Sequence, residues 1–185
     1  MCIDSECKIL MSDYTEKKLC DLEKNDCVIS YDINDNIQIS KILCIIEITI
    51  TGNHKELINL DNGLKISPWH PVKINGKWNF PFNINSPDLQ KSKSIITLVL
   101  DNHHICVINK CKCIMLGHNY TNSKLAHPYY GTRRVINDLK KYEAYNTGKI
   151  IFNDKNIEKI VNSYNTKVFF KHSSFKILTL DTIYV

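Results

Sequence analysis

The chain holds no run of about 20 apolar residues, the length that a membrane-spanning helix needs. Its first residues show no basic stretch followed by an apolar one, so no secretory signal is read there and a cytoplasmic location is expected. No Cys-x-x-Cys and no His-x(3–5)-His pair occurs, which removes the usual spacings of a structural zinc site. Internal repeats and low-complexity linkers are absent as well. Neither sign of charge dominates: 24 Lys and Arg against 19 Asp and Glu give +5. The tight basic pairs Arg133-Arg134 and Lys140-Lys141 suit a solvated helix face better than a nucleic-acid site. Neither a membrane nor a nucleic acid is therefore expected as a partner.

What remains is the composition of an ordinary folded protein. Its 185 residues are 43% hydrophobic and 23% charged, enough for one domain with a substantial core. Eight cysteines, without a secretory signal, are expected to be mostly reduced and buried.

Three separated elements carry chemistry. Cys2 is a thiol, the side chain best able to attack a carbonyl at neutral pH. Ser67-Pro68-Trp69-His70 places a hydroxyl three residues before an imidazole. A peptide nitrogen is a poor leaving group, so attack on a peptide bond needs a proton donor and an oxyanion partner; His70 and Ser67 have those chemistries. His118 directly precedes Asn119. An asparagine amide can attack its own backbone carbonyl, closing a succinimide and cutting the chain after itself.

The residues around these elements extend the pattern. Lys18-Leu19-Cys20-Asp21-Leu22 and Asp26-Cys27-Val28 follow Cys2; Pro71-Val72 and Gly76-Lys77-Trp78-Asn79-Phe80-Pro81 follow His70. Leu100-Asp101-Asn102-His103-His104, Cys113 through His118, and Ala126-His127-Pro128-Tyr129-Tyr130-Gly131-Thr132 complete the series. From residue 2 to about 140 the order resembles that of a Hint (hedgehog/intein) domain, most closely the Hint modules linked to von Willebrand type A proteins. That resemblance implies a pseudo-symmetric, mainly β fold and self-processing chemistry. Cys2 would be the nucleophile, Ser67 and His70 its assistants, Asp101 and His104 proton-transfer support, and His118 with Asn119 the cyclising pair. The substrate would be the chain's own polypeptide. Neither a cofactor nor a metal is implied, and a monomer is expected.

Departures from the family pattern narrow the expectation. Ser67 stands where the family usually has threonine and keeps the hydroxyl while losing a rotamer-fixing methyl. Asn119 stands where that subfamily commonly has glycine. A splicing domain also needs Cys, Ser or Thr after the asparagine, whereas Tyr120 occupies that place and a phenol is a poor acyl acceptor. Full splicing is not expected. Met1 alone precedes Cys2, so an acyl shift there would release one methionine.

Secondary structure reads as mainly β with a C-terminal α/β extension. The expected strands are 27–33, 37–51, 56–60, 64–67, 95–101, 104–109 and 112–116, each β-branched and bounded by turn residues. Residues 72–74 and 77–79 read as a hairpin across Asn75-Gly76, a pair that favours a primed turn. Val135, Ile136, Leu139, Tyr142 and Tyr145 predict one amphipathic helix over 132–146. A second helix at 157–163 and strands at 168–170 and 175–185 would follow. We divide the chain into a β module, 1–119, and an extension, 120–185, packed on it.

Two other readings compete with self-processing. A Hint fold that has lost its chemistry would serve as an interaction module for a protein partner. Zinc binding by Cys111, Cys113 and His118, or by His103, His104 and Cys106, is the other, although Cys111 and Cys113 read more simply as one face of a strand. Trp69 and Trp78 read as packing aromatics beside the Ser67–His70 turn, and His127 as a structural residue in its loop.

Overall fold

The structure, a computed structural model, describes residues 1–121 and 124–155. The elements expected at 157–163, 168–170 and 175–185 lie outside the described residues.

The opening segment forms β1 (Ile3–Asp4), β2 (Lys8–Leu10) and β3 (Glu16–Lys18). The first long hairpin joins β4 (Cys27–Tyr31) to β5 (Ile37–Thr49). β4 stops two residues earlier than the sequence reading because Asp32 accepts the backbone N–H groups of Asn34 and Asn36, both at 2.9 Å, and so closes a turn. Next come β6 (His54–Asn59), β7 (Lys65–Ile66), β8 (Val72–Ile74) and β9 (Lys77–Asn79). The β8–β9 turn is primed as predicted, with Asn75 at φ 50° and Gly76 at φ 73°. The later strands are β10 (Asp88–Lys91), β11 (Ser94–Leu100), β12 (Ile105–Ile108) and β13 (Cys111–Ile114).

The main sheet runs β10-β6-β7-β1-β11-β5-β4-β12-β13-β8-β9. β5 is long enough to serve both halves: residues 38–41 pair with β4 and residues 42–49 with β11. The ladder shifts where Val99 pairs with Cys44 and Leu100 with Ile42, and a bulge of this kind bends a strand from one half to the other. β11 is buried along its whole length, as its unbroken apolar run requires. One core cluster gathers Ile3, Ile9, Ile45, Ile66, Ile96 and Leu98.

The helical expectation needs correction. Instead of one helix over 132–146, the chain forms α1 (Arg133–Leu139) and α2 (Ala144–Thr147). At 3.6 residues per turn a single helix would carry Tyr145 roughly 80° around the axis from Val135. The break returns both to one apolar cluster with Leu139 and Ile150. Thr132 caps α1 by accepting the Arg134 N–H, and Gly148, at φ 92°, ends α2 and turns the chain into β14 (Lys149–Asn153). β14, which the sequence did not announce, pairs parallel with β5 and anchors the segment beyond Asn119 to the sheet. β10 was also missed: its sequence, Asp-Leu-Gln-Lys, shows no buried face, and among the described residues it pairs only with β6.

Candidate active site

Strand register brings the thiol to the hydroxyl. β1 and β7 run antiparallel with Ile3 opposite Ile66, so Cys2, one residue before β1, meets Ser67, one residue after β7. The Cys2 N–H donates to Ser67 Oγ at 2.9 Å, and the Ser67 N–H donates to the Cys2 carbonyl at 3.0 Å. Both residues are buried.

The turn after Ser67 is closed by the His70 N–H donating to the Ser67 carbonyl at 3.1 Å. β8 then pairs with β13, Val72 opposite Cys113, which carries His70 to the far end of that strand. His70 Nε2 lies 2.7 Å from the Ile114 carbonyl oxygen. A carbonyl only accepts, so the His70 proton sits on Nε2 and Nδ1 presents a bare lone pair. Nδ1 is buried and has no hydrogen-bond partner. Burial pushes the imidazole down to about 3, helped by the positive charge at the backbone nitrogen of residue 1 and opposed by the backbone of Ile114 and Cys2. His70 is therefore neutral at physiological pH. Trp69 stacks on Phe82 at 4.9 Å, the packing role read from sequence.

His118 follows the end of β13. Its Nδ1 accepts the Tyr120 N–H at 2.9 Å, which places the ring proton on Nε2; that atom is buried and unpartnered. Burial lowers His118 to about 4, with smaller contributions from His104 and His127. Asn119 is exposed, at φ 56°, and its side-chain Nδ2 donates to the Gly117 carbonyl at 3.2 Å. Two backbone bonds tie this segment to the loop beyond it: Gly117 N–H to the Tyr130 carbonyl at 2.8 Å and Asn119 N–H to the Gly131 carbonyl at 2.7 Å.

His104 lies within electrostatic reach of His118. Its carbonyl accepts the Met115 N–H at 2.7 Å, and its Nδ1 is buried without a partner. Burial lowers it to about 4, while the Asp101 carboxylate pulls the other way. Asp101 is exposed and accepts the Lys41 N–H at 2.9 Å. The loop between them is fastened from below, where Ser40 Oγ donates to Asn102 and pairs with Ser30 Oγ at 2.7 Å. Thus Cys2, Ser67 and His70 meet directly, and His118 lies within electrostatic reach of both His70 and His104. Asp101 and Asn119 sit at the margin.

Residues 1–167 match the model of the Vint family, described as Hint-domain. This chain belongs to that family. The fold of the Hint domain is seen in solved structures as well. A mutant of the Ssp DnaB mini-intein matches with TM-score 0.50 at 10% identity, over 62% of this chain and 90% of that one. A DnaB intein from Synechocystis sp. PCC 6803 matches with TM-score 0.48 at 11% identity, over 62% and 97%. The DnaX mini intein from Spirulina platensis matches with TM-score 0.47 at 13% identity, over 62% and 99%. At 10% identity the likeness to the mini-intein mutant concerns fold and assigns no residue a role. No curated protein sequence matches the chain.

One residue of this Hint domain is linked to the site more closely, through electrostatics, than the sequence reading gave it. His127 Nδ1 accepts the N–H groups of both Tyr129, at 3.1 Å, and Tyr130, at 2.9 Å, and its ring packs 4.7 Å from that of Tyr130. Its proton is therefore also on Nε2, and burial lowers it to about 4. It influences His118 and responds to charge at the nitrogen of residue 1. The available signal was its place within Ala126–Thr132, inside the stretch that carries the family resemblance.

Among the described residues no group of three or more His, Cys, Asp or Glu is placed to hold a metal ion. Cys111 and Cys113 both face the core from β13, with Cys106 opposite Cys113 on β12, whereas His118 belongs to the separate histidine group. No helix among the described residues is long and apolar enough to cross a membrane.

Proposed function

We propose that this Hint domain acts on its own polypeptide at the peptide bond preceding Cys2. The observation that supports this most is the 2.9 Å hydrogen bond from the Cys2 amide to Ser67 Oγ, formed beside the bare Nδ1 of His70. In this reading Cys2 Sγ attacks the carbonyl carbon of residue 1. A C–S bond forms, the C–N bond to Cys2 breaks, and the thiol proton reaches the departing Cys2 nitrogen by way of His70 Nδ1. A neutral buried imidazole is a weak base in isolation. Negative charge developing on sulfur and on the carbonyl oxygen favours its protonation as the reaction proceeds. Ser67 orients the scissile amide in the ground state, and its hydroxyl proton is available to the oxyanion. Asp101 and His104 support the proton inventory of the group through His118.

The test is a fusion with a passenger protein placed directly before Met1. Incubation with dithiothreitol should release the passenger by thiol exchange, and Cys2→Ala should hold it. A passenger retained equally by both proteins over days would sink the reading and leave the Hint fold as an interaction module.

A second bond has a specific observation in its favour. His118 Nδ1 contacts the nitrogen of the Asn119–Tyr120 bond, the leaving atom if Asn119 cyclises. Cleavage there would split the chain into residues 1–119 and 120–185. Intact mass decides it: a species persisting at 21.4 kDa in both wild type and His118→Ala means that this bond is not cut.

A further inference from the structure

The side chain just before the nucleophile is enclosed. Met1 is 5% exposed and shares one apolar cluster with Cys44 and Ile46 of β5, Val99 of β11, and Leu125, Val135 and Leu139. The last three lie beyond Asn119. The cluster that encloses Met1 thus draws on two sources, the sheet and the segment that β14 anchors to it.

Two imidazoles and the Lys55 ammonium act electrostatically on the backbone nitrogen of residue 1. His70 and His127 respond electrostatically to its backbone nitrogen, and both are uncharged at physiological pH. Burial lowers the pKa of an amino group at that nitrogen, so charge is disfavoured there, whereas an amide nitrogen carries none.

We propose that this enclosure is a recognition subsite for the side chain of the residue immediately preceding Cys2, selecting an apolar side chain of methionine or leucine size. The inference rests on the proposed attack by Cys2, since residue 1 supplies the acyl carbonyl. Seating the side chain fixes that carbonyl against Sγ and raises the fraction of molecules poised for attack. Alanine fills the enclosure poorly, and aspartate or lysine brings a charge into an apolar wall. Leu125, contributed by the segment beyond Asn119, makes the selection a property of more than the β module.

The experiment uses the full chain with a passenger fused so that the residue before Cys2 is Met, Leu, Ala, Asp or Lys. Thiol-induced release is followed by gel and by mass. Met and Leu should release at similar rates, with Ala slower by about 10- to 100-fold and the charged residues slower still. Leu125→Ala should narrow the Met-to-Ala ratio, and an unchanged ratio overturns the wall assignment. Equal rates for all five fusions overturn the subsite while leaving the chemistry intact. No release from any fusion overturns the chemistry instead, and the subsite is then decided by the same five fusions carrying Cys2→Ala. There the domain's melting temperature should be highest with Met or Leu and several degrees lower with Asp or Lys; five equal values overturn the enclosure too.

Discussion

The Cys2 amide nitrogen and the Ser67 hydroxyl oxygen lie 2.9 Å apart, brought together by the antiparallel pairing of Ile3 with Ile66. This bond satisfies a buried N–H and positions the amide whose cleavage is proposed. Ser67→Ala leaves that N–H unpaired, and a buried unsatisfied donor costs about 1–3 kcal/mol. Melting should fall by several degrees and thiol-dependent release of an upstream passenger should slow. Ser67→Thr, which keeps the oxygen, should retain most of both. Loss of stability without any change in release rate would reduce Ser67 to a structural role.

His70 combines a donated Nε2–H with a free Nδ1. Loss of a positioned acid or base costs roughly 10²–10⁴-fold in rate. His70→Ala should therefore lower passenger release by at least about 100-fold. It also leaves the Ile114 carbonyl without its 2.7 Å partner, so melting must be measured alongside. His70→Gln can reach that carbonyl with its amide and should recover stability more than rate. Equal recovery of both would argue against proton transfer through the imidazole.

The histidine group was only partly legible in the sequence. The Val72–Asn79 hairpin and the buried run of β11 announce themselves locally, through Asn75-Gly76 and through continuous β-branched residues. His70, Ser67 and Cys2 could be named from their order and chemistry. Their protonation could not, because the proton on His70 is fixed by Ile114, a partner 44 residues away on another strand. The same holds for β10 and β14, whose existence depends on distant strands, β6 and β5. The break between α1 and α2 is tertiary too, since it reconciles the positions of Val135 and Tyr145 on one cluster. His127 comes within electrostatic reach of His118 only when the loop beyond Asn119 folds back.

That loop makes a steric prediction. A Cβ added at Gly131 would lie 2.9 Å from His118 Nε2, 3.0 Å from His118 Cε1 and 3.0 Å from the His127 carbonyl oxygen. The last contact is backbone, so the strain cannot be relieved by one side chain moving. Gly131→Ala should destabilise the domain by about 1–3 kcal/mol, typical of overpacking. The His118 ring resonances should shift in an NMR spectrum. An alanine variant with unchanged melting and unchanged His118 signals would contradict the closeness of this contact.

The four wholly or partly buried imidazoles also set an acid limit. His70 is lowered to about 3, and His104, His118 and His127 to about 4, in each case chiefly by burial. In the unfolded chain a histidine titrates near 6.5. Between those values the unfolded state binds more protons than the folded one, so stability rises with pH there and is lost as pH falls below about 6.5. The contribution is complete above that point. For a fully buried group such as His70 the slope approaches ~1.4 kcal/mol per pH unit. Melting temperature should be flat from pH 7 to 8 and fall steeply between pH 6.5 and 4. His127→Asn, whose side-chain oxygen can still accept the Tyr129 and Tyr130 amides, should flatten that fall by removing one titrating group. Denaturation scans across this range in wild type and variant measure the difference. Superimposable curves would mean that His127 is not held neutral by the fold.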